Sequence, residues 1–273
     1  MKTGIASRPS STVDGQEGID HPVEDKSVMG RGLSLLEALS RAGRPLSLAE
    51  LSRETRLPKS TVHRLSAQLV QLRLLDRVAD GFCLGLRMFE WGSHAERQRH
   101  LRMAAIPFLT EMHSRLRETV HLAVLDGRDI VYIEKIESHR AVHCPTYVGD
   151  RKPAHATALG KAMLAFSPRE ALHTTFNNPL TLSTPRTVIT PGMLNQQLQK
   201  IRETRVSIEI EESFLGVACV AAPIVDSAGV VLGAISIVTP TFRFDPNKLA
   251  PEVRTAARKI AEQLEVSHPA IAY

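Results

Sequence analysis

Between Leu57 and Leu72 the chain reads LPKSTVHRLSAQLVQL, with apolar residues at Val62, Leu65, Leu69 and Leu72, spaced three, four and three apart. That period lays one apolar stripe along a helix and predicts that this side packs on a core. Pro58 suits the first turn, where a missing N–H costs nothing. Ser60, Arg64, Ala67, Gln68 and Gln71 fall on the opposite side, flanked by Lys59, Thr61 and His63. Upstream, Val28, Leu35, Leu36 and Leu39 line one side of a helix expected to stop near Gly43, with Pro45 just beyond. Ser47 and Glu50 have capping-box spacing, opening a second helix that turns Leu48 and Leu51 inward and runs to about Arg56. After Leu72, Leu74, Leu75 and Val78 predict a strand, Ala79-Asp80-Gly81 a turn, and Phe82, Leu84 and Leu86 a second strand. Three helices, the last two joined by a tight turn, followed by a hairpin, make a winged helix-turn-helix plan over residues 27–91.

The period then changes twice. Ser93 to Leu116 is a charged helical stretch with Leu101, Ala105, Phe108, Leu109 and Met112 on a stripe, and Pro107 predicts a kink or two helices. Its early part, within residues 92–103, reads as a linker helix between domains. Beyond Glu118, HLAVLDGRDIVYIEKIES alternates as two strands around Asp126-Gly127, and Ala141–Tyr147 is a further strand candidate. Helices are expected over Thr157–Phe166, Pro168–Phe176 and Gly192–Thr204. GVACVAAPIVDSAGVVLGAISIVTP then gives two strongly apolar strands, before a last helix over about Pro246–Val266. Antiparallel strands with interspersed helices predict an α+β domain over residues 104–273. Residues 1–26, rich in Ser, Gly, Asp and Glu without a period, read as a disordered tail.

Charge sharpens this division. The 273 residues carry a net +5, and residues 27–100 hold 12 Lys and Arg against 7 Asp and Glu. Residues 1–26 hold 3 against 5, and residues 101–273 hold 19 against 17. The formal excess therefore sits with the polar helix, where a positive field favours a polyanion. No apolar run approaches the ~20 residues of a membrane helix, and no secretory h-region is visible. Cys83, Cys144 and Cys219 stand far apart without a CxxC pair, which suits a reducing cytoplasm.

A short polar helix with small hydroxyl residues fits a DNA major groove. Arg64 and Gln68, one turn apart, are placed to face base edges, with Ser60, Thr61 and His63 beside them, while Lys59, Arg31 and Arg77 are placed for phosphates. An ordinary solvated helix is the plainer alternative. Other chemistry is thin. Gly160-Lys161 suggests a phosphate loop, but His155 and Ala162 stand where that motif needs Gly and Ser or Thr. Cys219 lies in VACVAAPIV with no polar residue within three positions, and Ser236 lacks a nucleophile elbow. His139, His143, Cys144 and His155 match no zinc spacing. Glu209, Glu211 and Glu212 read as an exposed solvated turn more readily than as a metal or acid–base pair. No enzyme, metal or cofactor is expected.

Five blocks in order, SLAELSRETRLPKSTVHRL, GFCLGLRMFEWG, HLAVLDGRDIVYIEKIES, PAHATALGKAMLA and GVACVAAPIVDSAGVVLGAISIVTP, resemble the IclR family of bacterial transcription regulators over roughly residues 27–266. The resemblance implies a DNA-binding winged helix-turn-helix, a connecting helix and a GAF-like ligand domain. It further implies a homodimer or homotetramer on a palindromic operator, answering to a small organic acid. By motif position its ligand-lining residues fall on Ala158, Leu159, Glu209, Cys219 and Ser236. Three departures stand out: the acidic stretch begins with Glu209 rather than paired Asp, the last strand has Val238 for a second Ser, and Ala158 and Leu159 are bulkier than in some members. Added bulk and a lost hydroxyl point away from glyoxylate or pyruvate and toward an aromatic acid. The competing reading is an enzyme or stand-alone sensor whose winged helix serves protein contacts.

Overall fold

A computed structural model describes residues 27–137 and 144–267, so the expected tail over 1–26, and His139 and His143 of the zinc candidate, lie outside the described residues. The chain divides into two compact units between His94 and Ala95.

The first unit holds α1 (Val28–Ala42), α2 (Leu48–Thr55), α3 (Lys59–Gln71), the hairpin β1 (Leu75–Val78) and β2 (Gly81–Leu84), and α4 (Leu86–Ser93). The capping box forms as its spacing predicts: Glu50 N–H donates to Ser47 Oγ and Ser47 N–H to Glu50 Oε2. Arg44 adds an ion pair to Glu50. Ser52 Oγ donates to the Leu57 carbonyl at 2.6 Å and ties the turn between α2 and α3. Leu35, Leu39, Leu51, Val62, Leu65, Leu69 and Leu75 share one core. The hairpin is pressed onto the chain before α2, where Leu46 and Phe82 exchange two backbone hydrogen bonds. A Cβ on Gly81 would meet the Leu46 carbonyl oxygen at 2.2 Å, so this position requires glycine.

Several expectations need correction here. Val28 and Leu72 are exposed rather than buried, because each sits at a helix end beyond the core-facing stripe. Leu86 opens α4 instead of closing the wing, since Gly85 ends the strand against the Arg73 and Leu74 backbone. Pro107 breaks nothing: α5 runs unbroken from Glu96 to Leu116, and the interruption falls at His94 and Ala95. Nor do residues 92–103 form a linker helix of their own, because Leu101 is already in the core of the second unit.

That unit is built on a six-stranded antiparallel sheet in the order β5-β4-β3-β8-β7-β6. Its strands are β3 (Thr119–Asp126), β4 (Asp129–Ile136), β5 (Arg151–Pro153), β6 (Ser207–Ile210), β7 (Val217–Val225) and β8 (Val231–Pro240). The three-residue β5 is too short to show a period, and β6 alternates in the unexpected sense, with Ser207 and Glu209 buried and Ile208 and Ile210 exposed, while 144–147 form no strand. On one face, Val120, Leu122, Val220, Ile235 and Ile237 pack with α5 and α9 (Pro246–Ser267). On the other, Ala123, Tyr132, Cys219, Ala221 and Val238 pack with α6 (Ala158–Leu164) and α8 (Pro191–Thr204). α7 (Arg169–Phe176) lies between α6 and α8 in the chain. Burial on both faces explains why β7 and β8 read as unbroken apolar runs.

Candidate DNA-reading face and ligand cavity

α3 is divided cleanly between two environments. Val62, Leu65 and Leu69 are buried, whereas Lys59, Ser60, His63, Arg64 and Gln68 are exposed and Thr61 is half-buried. Arg64, Lys59 and His63 make no ion pair or side-chain hydrogen bond with any described residue, so their donors are available. Arg77 is exposed on β1, and Arg31 is half-buried on α1. Arg87, another basic residue near the wing, is occupied: it donates to the Leu72 carbonyl at 3.0 Å and lies over the Trp91 ring.

In the second unit, Ala158, Leu159, Glu209, Cys219 and Ser236 converge on one small cavity of about 20 Å³, although they come from the start of α6 and from β6, β7 and β8. Strand register makes this possible. Glu209 pairs with Cys219, Cys219 with Val238, and Ser236 with His121, so period-two alternation turns them to one face. Thr157 caps α6, its Oγ1 accepting from Gly160 N–H at 2.9 Å, and Ala158 and Leu159 supply the first-turn N–H groups that a helix leaves unpaired. His121, Tyr132, Cys144, Phe214 and Val238 complete much of the wall. Alternation along HLAVLDG marks His121 as a polar residue on an inward face, a signal not used in reading the sequence. Tyr132 and Cys144 carried no comparable mark.

The electrostatics of the cavity are unusual for a site expected to receive an acid. Glu209 is buried, and its Oε1 accepts from the backbone N–H groups of Glu212 and Ser213. Burial nevertheless dominates and lifts its carboxyl to about 7, against those two hydrogen bonds. Burial likewise raises the Tyr132 phenol and the Cys144 and Cys219 thiols, and holds His121 near 3, hence neutral. His121 Nε2 lies 2.9 Å from Thr146 Oγ1. The Ser236 hydroxyl is fully buried; among the described residues it has no hydrogen-bond partner at ordinary geometry, and its polar influence falls on the neighbouring Cys219 thiol, whose rise it opposes.

The acidic stretch is not the solvated turn expected of it. Glu209 and Glu212 are buried, because the residues after β6 fold back over α6. Glu212 Oε1 pairs with the fully buried Lys161 ammonium at 2.5 Å, and its Oε2 accepts from Val188 N–H. One residue therefore holds Glu209 through its backbone and α6 through its side chain. The Gly160-Lys161 pair has an equally structural explanation: a Cβ on Gly160 would meet the Ala154 carbonyl oxygen at 2.2 Å, and Lys161 supplies the buried cation. Of the zinc candidates among the described residues, Cys144 lies in the cavity wall and His155 Nε2 is 2.9 Å from the Thr181 carbonyl oxygen.

A winged helix-turn-helix with its polar face outward, joined in one chain to an α+β unit enclosing a small cavity, defines a DNA-binding transcription regulator. The chain belongs to the IclR family: residues 28–79 match the IclR helix-turn-helix domain, and residues 94–266 match the bacterial transcriptional regulator IclR C-terminal domain. It is 32% identical to the HTH-type transcriptional regulator KdgR of Escherichia coli over 252 residues, covering 90% of this chain and 95% of that protein. It is 33% identical to XynR of the same organism, covering 81% and 88%. Among solved structures, an IclR homologue from Microbacterium hydrocarbonoxydans complexed with 4-hydroxybenzoate superimposes with a TM-score of 0.81 at 28% identity, over 88% of this chain and all of that one.

Proposed function

We propose that α3 enters the major groove, with Arg64 and Gln68 reading base edges beside Ser60, Thr61 and His63, while Lys59, Arg31 and Arg77 hold phosphates. The observation that carries this reading is the exposure of Lys59, Ser60, His63, Arg64 and Gln68 on α3 while Val62, Leu65 and Leu69 are buried. Two copies acting as a homodimer, or paired again as a homotetramer, would meet half-sites about one helical turn apart on a palindromic operator. Exposed apolar residues on the reading unit, Met29 and Leu33 on α1 and Leu86, Phe89 and Trp91 on α4, support association between copies. No helix among the described residues is long and apolar enough to cross a membrane, in keeping with a cytoplasmic regulator.

The cavity takes a small organic acid, with an aromatic acid favoured. Its carboxylate is received at the first-turn N–H groups of Ala158 and Leu159, while Glu209, Cys219 and Ser236 meet the rest of the ligand. The 4-hydroxybenzoate held by the structural neighbour supports this class. Ligand binding changes operator affinity by a coupling of about 1–3 kcal/mol. The test is a gel shift on the chain's own upstream region with and without benzoate-type acids, paired with calorimetry. Tight binding of glyoxylate or pyruvate with none of benzoates would overturn the aromatic assignment. Failure to shift any upstream DNA above a random control would overturn the regulator's reading face.

A further inference from the structure

A second concavity lies on the C-terminal unit at the edge of the sheet, between the C-terminal end of α8, one side of α9 and the last residues of β7, with a volume of about 340 Å³. Arg205, Arg254 and Arg258 line it, together with Thr255 and an apolar floor of Ala222, Pro223 and Val225. Arg205 closes α8 and stacks on the Phe166 ring at 5.5 Å, which fixes its plane without neutralising it. Arg254 and Arg258 stand one turn apart on α9, so both reach the same side of the helix. Among the described residues the only carboxylate on any of the three is Glu262, paired with Arg258.

This concentration is not a general property of the unit, since residues 101–273 hold 19 Lys and Arg against 17 Asp and Glu. With Glu262 the one carboxylate set against three guanidinium groups among the described residues, like charges gathered in this groove repel one another until an anion arrives. The floor narrows the choice of partner. β6 pairs with β7 only as far as Ala221, so among the described residues the Ala222–Val225 stretch has no strand on that side. Pro223 stands in that stretch without an N–H to offer, which disfavours addition of a peptide strand. The volume is that of a small-molecule site, and planar guanidinium forks match carboxylate and phosphate oxygens.

We propose that the Arg205–Arg254–Arg258 groove is a second anion site, separate from the α6 cavity, that takes a small molecule with two or more negatively charged oxygen groups. The class is a polycarboxylate or a phosphate ester, with Thr255 as an added hydroxyl donor. The test is titration calorimetry of the full chain at low salt with two probes, citrate and inorganic pyrophosphate. At least one probe binds, and the affinity falls at least tenfold in the double variant Arg254→Gln, Arg258→Gln, while Glu209→Gln in the other cavity leaves it unchanged. Which probe binds distinguishes carboxylate from phosphate. No binding of either probe overturns the proposal, as does binding that the double variant leaves intact. So does a result in which the double variant weakens only association with duplex DNA, since the arginines would then be a contact for that polyanion.

Discussion

Glu209 makes effector binding depend on pH in a direction that can be worked out beforehand. Burial lifts its carboxyl from the ordinary 4.5 to about 7, so about half the molecules carry the charge at pH 7. On the proposed function the group also shares the cavity with a ligand carboxylate. Two such charges about 6 Å apart in an effective dielectric of about 20 repel by about 3 kcal/mol, or about two orders of magnitude in affinity. Ligand binding should therefore raise the Glu209 pKa from about 7 toward about 9, with uptake of close to one proton near pH 8. Affinity for a benzoate-type acid is flat below about pH 6 and falls about 25-fold in all between about pH 7 and 9. Lys161 and Glu212 enter equally before and after, as a buried ion pair, and neutral His121 adds no charge. Calorimetry in buffers of different ionisation heat counts the proton directly. Glu209→Gln should remove the proton uptake and keep at pH 8.5 the affinity that the native chain shows at pH 6. A flat profile from pH 6 to 8.5 with no proton uptake would refute the reasoning.

Further outcomes follow from the same structure. The raised Glu209 pKa costs the unliganded fold charge-burial energy: stability is full below about pH 4.5 and declines as pH rises through about 7. Relative to Glu209→Gln, the native chain should thus lose roughly 3 kcal/mol across that interval, read by chemical denaturation at several pH values. Lys161→Met leaves Glu212 buried without its cation and should cost about 3–5 kcal/mol, much of it recovered in Lys161→Met with Glu212→Leu; a single variant as stable as the native chain would remove the pair from the account. Gly160→Ala drives a Cβ into the Ala154 carbonyl and should destabilise by about 1–3 kcal/mol or more in the same assay. Leu65→Ala empties a core position beneath α3 and should cost about 2–5 kcal/mol, visible as early melting of the first unit.

The winged helix-turn-helix is legible because each element carries its own mark: a stripe at Val62, Leu65 and Leu69, a capping box at Ser47 and Glu50, a turn at Asp80-Gly81. Leu86 was misplaced because alternation continued past Gly85, while the close approach of the Arg73 backbone that ends the strand leaves no trace in local pattern. Ala158, Leu159, Glu209, Cys219 and Ser236 came from motif positions within a resemblance, and strand register brings them to one cavity. Their surroundings were hidden for a physical reason. Lys161 and Glu212 are 51 residues apart and neutralise each other only after folding, so along the chain each looks like a surface charge. Glu209 looked solvated for the same reason: β6 pairing with β7 and the fold-back of the residues after it bury the side chain. Short strands such as β5 and β6 owe their existence to neighbours in the sheet rather than to their own sequence.

The central claim is that the outward side of α3 reads DNA. Fluorescence anisotropy on an operator selected from random duplexes, and on a scrambled control, tests it most directly with Arg64→Ala and Gln68→Ala. Each variant should lose about 1–3 kcal/mol on the operator and little on the scrambled duplex, with the fold intact by denaturation. If both variants bind both duplexes as tightly as the native chain, α3 is not the reading element.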